Sequence, residues 1–291
     1  MSQPNVILIL TDQQRLSTLS TYGQTPCMTP NLDKLAGRSI IFDNAYTPCP
    51  LCTPARASLM TGLYPHQHGM TSNTGNTSCA VHNLRDRPEL LSRRLQSAGY
   101  DCLYTGKWHL GWRESQLFCE QIPPALPRDV GFIGHNCPGH GGPGFNFQDY
   151  KDYLQRLGMT NNIREKLRLG KGFVPSYGIQ ELPEEGTVPY FLAQHSIERI
   201  DEFADSGKPF FLWHNFWGPH EGYFIPEEFY EMYRHVSIPE WPNYRWPSDQ
   251  IEGPHRIAIN PSHSELKWEN WEEVIRYYYG FMTLIDKQIG R

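Results

Sequence analysis

Cys52, Pro54 and Arg56 lie in the stretch AYTPCPLCTPARASLMTGLYPHQHGM, from Ala45 to Met70. Helical spacing over Thr53–Thr61 puts Cys52 at a helix start, where unpaired N–H groups and the helix dipole favour an anion. Pro54 falls in the first turn, where its missing N–H costs nothing, and Gly62 closes the helix. Arg56 lies one turn beyond Cys52 on the same face. Its planar guanidinium can hold an oxyanion through paired hydrogen bonds. The stretch therefore combines a nucleophile with an anion clamp. Plainer readings stand beside this one. Cys49 and Cys52 form a C-x-x-C, a redox pair or half of a zinc site, although no second pair follows at zinc-site spacing. A buried structural cysteine is the third reading.

Other polar residues fall just after apolar runs. Asp12 closes NVILILT (Asn5–Thr11) and is a hard-metal donor or a turn cap. Lys107 and His109 follow Asp101–Gly106. Two residues apart, they face the same way in extended backbone. His214 lies within KPFFLWHNF (Lys208–Phe216), and His220 lies beyond it. His66 and His68 make an H-x-H pair. His135, Cys137 and His140 sit in a Gly-rich stretch whose composition suits a rim facing substrate better than a zinc site.

Elements must hold these residues together. Asn5–Thr11, Ser39–Tyr46, Asp101–Gly106 and Lys208–Phe216 read as strands. Helices are expected at Asn31–Arg38, Thr53–Thr61, Glu89–Ala98, Asp149–Leu157, Asn162–Leu169, Pro189–Asp205, Pro226–Arg234 and Trp268–Ile289. Residues 112–187, rich in Gly, Pro and aromatics, read as a loop-rich insertion that shapes a substrate pocket. Alternation of strands and helices indicates an α/β fold, with a mostly parallel central sheet flanked by helices. Ligands in such sheets sit beyond the carboxyl ends of the strands, where Asp12, Lys107, His109, His214 and His220 cluster.

The 291 residues are 39% hydrophobic and 20% charged, as in an ordinary globular protein. A formal net charge of -5 without a Lys/Arg run argues against a nucleic-acid partner. No apolar run near the start is long enough to span a membrane, and no cationic segment precedes one. A cytoplasmic protein with no membrane partner is the expectation. Seven scattered cysteines do not read as a disulfide framework.

Cys52-Thr53-Pro54-Ala55-Arg56 matches the C-x-P-x-R signature of type I sulfatases, in the alkaline phosphatase superfamily, and ASLMTGLYPHQHG resembles its continuation. LYTGKWHLG (Leu103–Gly111) resembles the second sulfatase signature. Thr11-Asp12-Gln13 resembles the family's N-terminal metal-binding turn, and NFWGPHEGY (Asn215–Tyr223) its later histidine segment. The resemblance implies that Cys52 is oxidised by a formylglycine-generating maturation enzyme that reads Pro54 and Arg56. The hydrated aldehyde would attack sulfur and displace an alcohol. It further implies a Ca²⁺ or Mg²⁺ site using Asp12, Gln13 through a neutral oxygen, and the modified Cys52. Lys107 would stabilise sulfate oxygens and the leaving group, and His109 would orient or deprotonate the diol. His220 would contact substrate or protonate the departing alkoxide, and Asn73 would contact sulfate. The implied substrate is a sugar, aryl or alkyl sulfate ester.

Gln13 departs from the second acid that many sulfatases carry, and relatives acting on phosphonate and phosphate esters can carry Gln there. Lys107 and His109 argue against that alternative. The resemblance covers residues 1–291 as the N-terminal portion of a single sulfatase catalytic domain. No distal Asp-His or Asp-Asn metal pair is present, and no catalytic Lys beyond it. The chain alone is therefore expected to be inactive, or to be a catalytically dead truncated fragment.

Overall fold

A computed structural model describes residues 3–76, 78–111, 125–136, 143–165, 176–242, 244 and 266–291. The chain divides into two compact units. The first contains Met1–Asp12, Ile40–Leu157 and Val188–Trp217, and the second contains Gln13–Ser39, Gly158–Thr187 and Gly218–Arg291.

The first unit is built on a parallel sheet of β1 (Val6–Leu10), β2 (Asp101–Gly106), β3 (Ile133–Gly134) and β6 (Phe210–Asn215), in the order β1-β6-β2-β3. The central strands β2 and β6 are buried almost throughout, as strands covered on both faces must be. Their register pairs Gly106 with Asn215, and β1 pairs Leu10 with the same Asn215. Helices α4 (Leu91–Ser97) and α6 (Val188–Ala204) pack against the sheet, and α5 (Gln148–Arg156) packs on α6. Helices α2 (Cys52–Thr61) and α3 (Pro65–His68) follow one another before α4. Tyr104, Trp108, Phe132 and Trp213 fill the core edge to face, with Tyr104 and Trp108 centroids 5.1 Å apart. Such pairs add about 0.5–1.5 kcal/mol each beyond their buried area.

The second unit holds α1 (Pro30–Ala36), β4 (Ile163–Glu165), β5 (Tyr177–Gln180), β7 (Tyr223–Ile225), α7 (Glu227–Glu231) and α8 (Trp268–Gly290). Its small sheet runs β4-β5-β7, with β4 antiparallel and β7 parallel to β5. Asp286 of α8 accepts the N–H groups of Asn31 and Leu32, which satisfies the open start of α1.

Three sequence expectations change. Ser39–Tyr46 is not a strand: Ile40 is 84% exposed and Tyr46 91%, and β-branched and aromatic residues without a paired neighbour gain nothing from extension. Asn162–Leu169 is not a helix where described, because Ile163–Glu165 pairs with β5. Its remainder lies outside the described residues. Residues 112–187 contain three short strands that their Gly- and Pro-rich context hid, although much of that insertion also lies outside the described residues. No described helix is long and apolar enough to cross a membrane.

Candidate active site

All the strands of the first sheet run one way, so β1, β6 and β2 end on one edge. Asp12 lies two residues past β1, and Lys107 directly follows β2. Asn215 ends β6 between them. Gly106 is needed at this edge. Its φ is +92°, and a Cβ there would meet the Asn215 carbonyl oxygen at 1.8 Å.

Helix α2 brings the other side. Cys52 is its first residue, and Gly62 ends it in the left-handed conformation, donating to the Ser58 carbonyl. Thr53 ties this start to two loops. Its N–H donates to Asn73 Oδ1 at 3.1 Å, and its hydroxyl donates to the His109 carbonyl at 2.8 Å. The Thr74 N–H donates to the same hydroxyl oxygen. Asn73 thus satisfies a helix N–H that would otherwise be orphaned.

Four side chains converge. Cys52 Sγ lies 3.6 Å from both Asp12 carboxylate oxygens and 3.5 Å from Lys107 Nζ. Lys107 Nζ is 2.6 Å from Asp12 Oδ2, and Arg56 Nη2 is 3.2 Å from the same oxygen. Arg56 Nη1 donates to Asn215 Oδ1 at 2.7 Å and to the Lys107 carbonyl at 2.8 Å. Asp12, Arg56, Lys107 and His109 are all buried. Burial pushes the Lys107 ammonium pKa down, and the Asp12 carboxylate opposes that. Burial also raises the Cys52 thiol pKa, against the pull of Lys107 and Arg56. Two cations against one carboxylate leave the pocket with surplus positive charge beside Cys52, which suits an incoming anion.

His109 departs from the expected extended geometry. Its φ is +54°, a conformation rare for a residue with a side chain. The Thr53 hydroxyl grips its carbonyl, and Trp108, fully buried, anchors the turn. Gln13 also has a positive φ, +61°. It belongs to the second unit, where its carbonyl accepts the Tyr278 hydroxyl. His220 likewise belongs to the second unit, directly after Pro219 of the cis Gly218–Pro219 bond.

The remaining candidates separate from the site. His214 turns to Ser196 of α6, with Nδ1 2.7 Å from the hydroxyl. Both nitrogens of His68 are engaged, Nε2 with the Ser58 hydroxyl and Nδ1 with the Met70 N–H. Cys49 and Cys52 are free thiols. His135 is buried and stacks on His195, while Cys137 and His140 lie outside the described residues. Thr53 and Asn215 lie within the quoted segments but were not singled out by sequence, because each acts through hydrogen bonds to residues distant in the chain.

A family model described as Sulfatase matches residues 4–291. The chain belongs to the sulfatase family. It is 27% identical to an arylsulfatase of Clostridium perfringens, over 99% of this chain and 58% of that protein. It is 38% identical to an N-acetylgalactosamine-6-sulfatase of Sus scrofa, over 72% of this chain and 38% of that protein. Its fold is similar to that of a phosphonate monoester hydrolase of Agrobacterium radiobacter, with a TM-score of 0.72 and 24% identity, over 99% of this chain and 58% of that one. The chain spans about half the length of the curated relatives it matches. The α/β architecture expected from the sequence, a parallel sheet flanked by helices, is the one observed, and it is shared with that structure.

Proposed function

We propose that the protein hydrolyses a sulfate ester at Cys52. The observation that supports this best is the placement of Cys52 at the start of α2, between Lys107, Arg56 and Asp12. Cys52 is the residue a maturation enzyme would convert to formylglycine, since it alone has Pro and Arg two and four residues on. The hydrated aldehyde supplies an oxygen nucleophile for attack on sulfur. Lys107 stabilises charge on the sulfuryl oxygens and the leaving oxygen, from a site where burial strengthens the interaction. Arg56 holds the nucleophile's oxygens. His109 orients the nucleophile or takes its proton, which leaves His220 to protonate the departing alkoxide and Asn73 to contact sulfate.

The substrate is an aryl, alkyl or saccharide sulfate. The saccharide reading draws on the N-acetylgalactosamine-6-sulfatase relative. Gln13, a neutral residue after Asp12, favours a second reading as a phosphonate or phosphate ester hydrolase.

A divalent cation, Ca²⁺ or Mg²⁺, is part of the proposal, held by Asp12, Gln13 and the modified Cys52. The donors described in the first unit do not by themselves fit one. Asp12 is a hard oxygen donor, but Lys107 and Arg56 already balance its charge. The Cys52 thiol is soft where Ca²⁺ wants about six to eight oxygens. Further oxygen ligands must come from other residues or from water.

Peptide mass spectrometry after co-expression with a maturation enzyme tests the first step. The expected result is replacement of sulfur by aldehyde oxygen at Cys52, with Cys49 unchanged. Parallel assays on aryl sulfate and phenylphosphonate esters should show preference for sulfate. Modification of Cys49 alone, or a phosphonate preference, overturns the reading.

A further inference from the structure

Asn215 occupies a singular place. As the last residue of β6, it lies between the two strand ends that deliver Asp12 and Lys107. It is fully buried at the end of FFLWHN, a strand buried throughout, where a polar amide is costly unless its hydrogen bonds are made. They are made. Nδ2 donates to the Trp213 carbonyl at 3.3 Å, which leaves Oδ1 facing Arg56 Nη1 at 2.7 Å. Its main-chain oxygen accepts the Lys107 N–H at 3.1 Å. One residue therefore fixes both cations of the pocket, one by side chain and one by backbone.

The chemistry of the acceptor matters as much as its position. Arg56 is held by Asn215 Oδ1, the Lys107 carbonyl and Asp12 Oδ2. Two of these three are neutral. A neutral acceptor orients the guanidinium without cancelling its charge, whereas a second carboxylate would form an ion pair and remove the surplus that draws an anion.

We propose that Asn215 is a positioning residue, holding the Arg56 guanidinium against the Cys52 nucleophile through an uncharged hydrogen bond that leaves its positive charge available to the sulfuryl group. The proposal rests on the sulfate-ester reading above. A leucine in place of Asn215 would remove the acceptor while keeping the branched shape of the side chain. An aspartate would keep the acceptor and add charge. These two variants separate geometry from electrostatics.

The experiment uses formylglycine-bearing full-length protein with ¹⁵N-labelled arginine. In the wild type, the Arg56 Nη–H signals should exchange slowly with water. In Asn215→Leu they should exchange fast, and kcat on an aryl sulfate should fall by about 10²-fold, the cost of a misplaced catalytic group. In Asn215→Asp the signals should stay protected while kcat still falls, by about tenfold. Unchanged Arg56 exchange and unchanged kcat in folded Asn215→Leu overturn the positioning role. Should that variant fail to fold, Asn215→Asp decides: wild-type kcat with a protected Arg56 overturns the requirement for a neutral acceptor. A wild type that hydrolyses no sulfate ester removes the functional reading, and the exchange data still decide whether Asn215 orders Arg56.

Discussion

Two buried polar clusters flank the β2–β6 pair, and they are built on opposite terms. Around Cys52 the groups carry charge: Asp12, Arg56 and Lys107 share one carboxylate between two cations. Across α6 the groups are imidazoles and hydroxyls. His195 Nδ1 meets Thr105 Oγ1 at 2.9 Å, Ser196 donates to the same Thr105 oxygen at 3.0 Å, and Ser196 reaches His214 Nδ1 at 2.7 Å. His135 stacks on His195 with centroids 3.7 Å apart. Burial holds all three imidazoles neutral, with the His195 pKa lowered to about 4 and that of His214 to about 3. A buried histidine is thus no sign of chemistry by itself. The Cys52 cluster differs because its charges do not cancel and because they surround a nucleophile.

The largest effect expected from this contrast is on turnover. In formylglycine-bearing full-length protein, Lys107→Ala should lower kcat by about 10²-fold or more, the scale of removing one transition-state donor. His109→Ala should do the same. In the proposed reaction both would face charge that develops at the sulfuryl group, so the loss should appear in kcat more than in KM. His195→Ala, in the neutral cluster, should leave kcat within a few-fold of wild type. Steady-state kinetics on folded variants decides. Equal losses from both clusters would erase the distinction.

A smaller effect concerns the cation. The described site offers Ca²⁺ one carboxylate already balanced by Lys107 and Arg56. Calorimetric titration of the 291-residue chain should therefore show weak Ca²⁺ binding, in the range of about 10⁻⁴–10⁻³ M typical of the weaker protein sites. Replacing the Cys52 thiol with an oxygen-bearing formylglycine should tighten it, because the soft donor becomes hard. Tight stoichiometric binding by the unmodified chain would show that the remaining ligands are already in place.

Legibility in the sequence followed the same division. Cys52, Arg56, Lys107 and Asp12 were readable because two quoted motifs and a strand end announce them, and the structure does bring these four together. The helix at Cys52, the left-handed Gly62 and the parallel strands at Val6, Asp101 and Phe210 follow from local pattern alone. Asn215 opens NFWGPHEGY, but its place was not readable, since nothing in that segment assigns the asparagine a role until β1 and β2 are seen on either side of it. The left-handed turn at His109 was missed for a related reason: a hydroxyl more than fifty residues away in sequence, on Thr53, holds it. Ile40 and Phe42 misled because apolar composition suggests a strand, while pairing decides whether one forms.

The smallest effect, and the sharpest test of the neutral cluster, is on stability against pH. His195 and His214 have folded pKa values of about 4 and about 3, below the ordinary value of 6.5. The folded state therefore binds fewer protons than the unfolded state between those limits. Their contribution to stability is whole above about pH 6.5 and is lost as pH falls through 6.5 toward 4 and 3. His214 shows why. Its Nδ1 bonds Ser196, and its Nε2 is buried with no hydrogen-bond partner among the described residues. Protonation would place an N–H there with nothing to accept it, at the cost of an unsatisfied buried donor. Arg199, near His195, adds like-charge repulsion to any proton gained on that ring. Urea midpoints of the wild type should fall steadily from pH 6.5 to pH 4. His214→Asn, which keeps a polar partner for Ser196 but cannot titrate, should be less stable at pH 7 and show a shallower fall across that window. An identical slope in the variant would mean that the acid sensitivity lies elsewhere, and that the neutral imidazoles are not what distinguishes this cluster from the charged one.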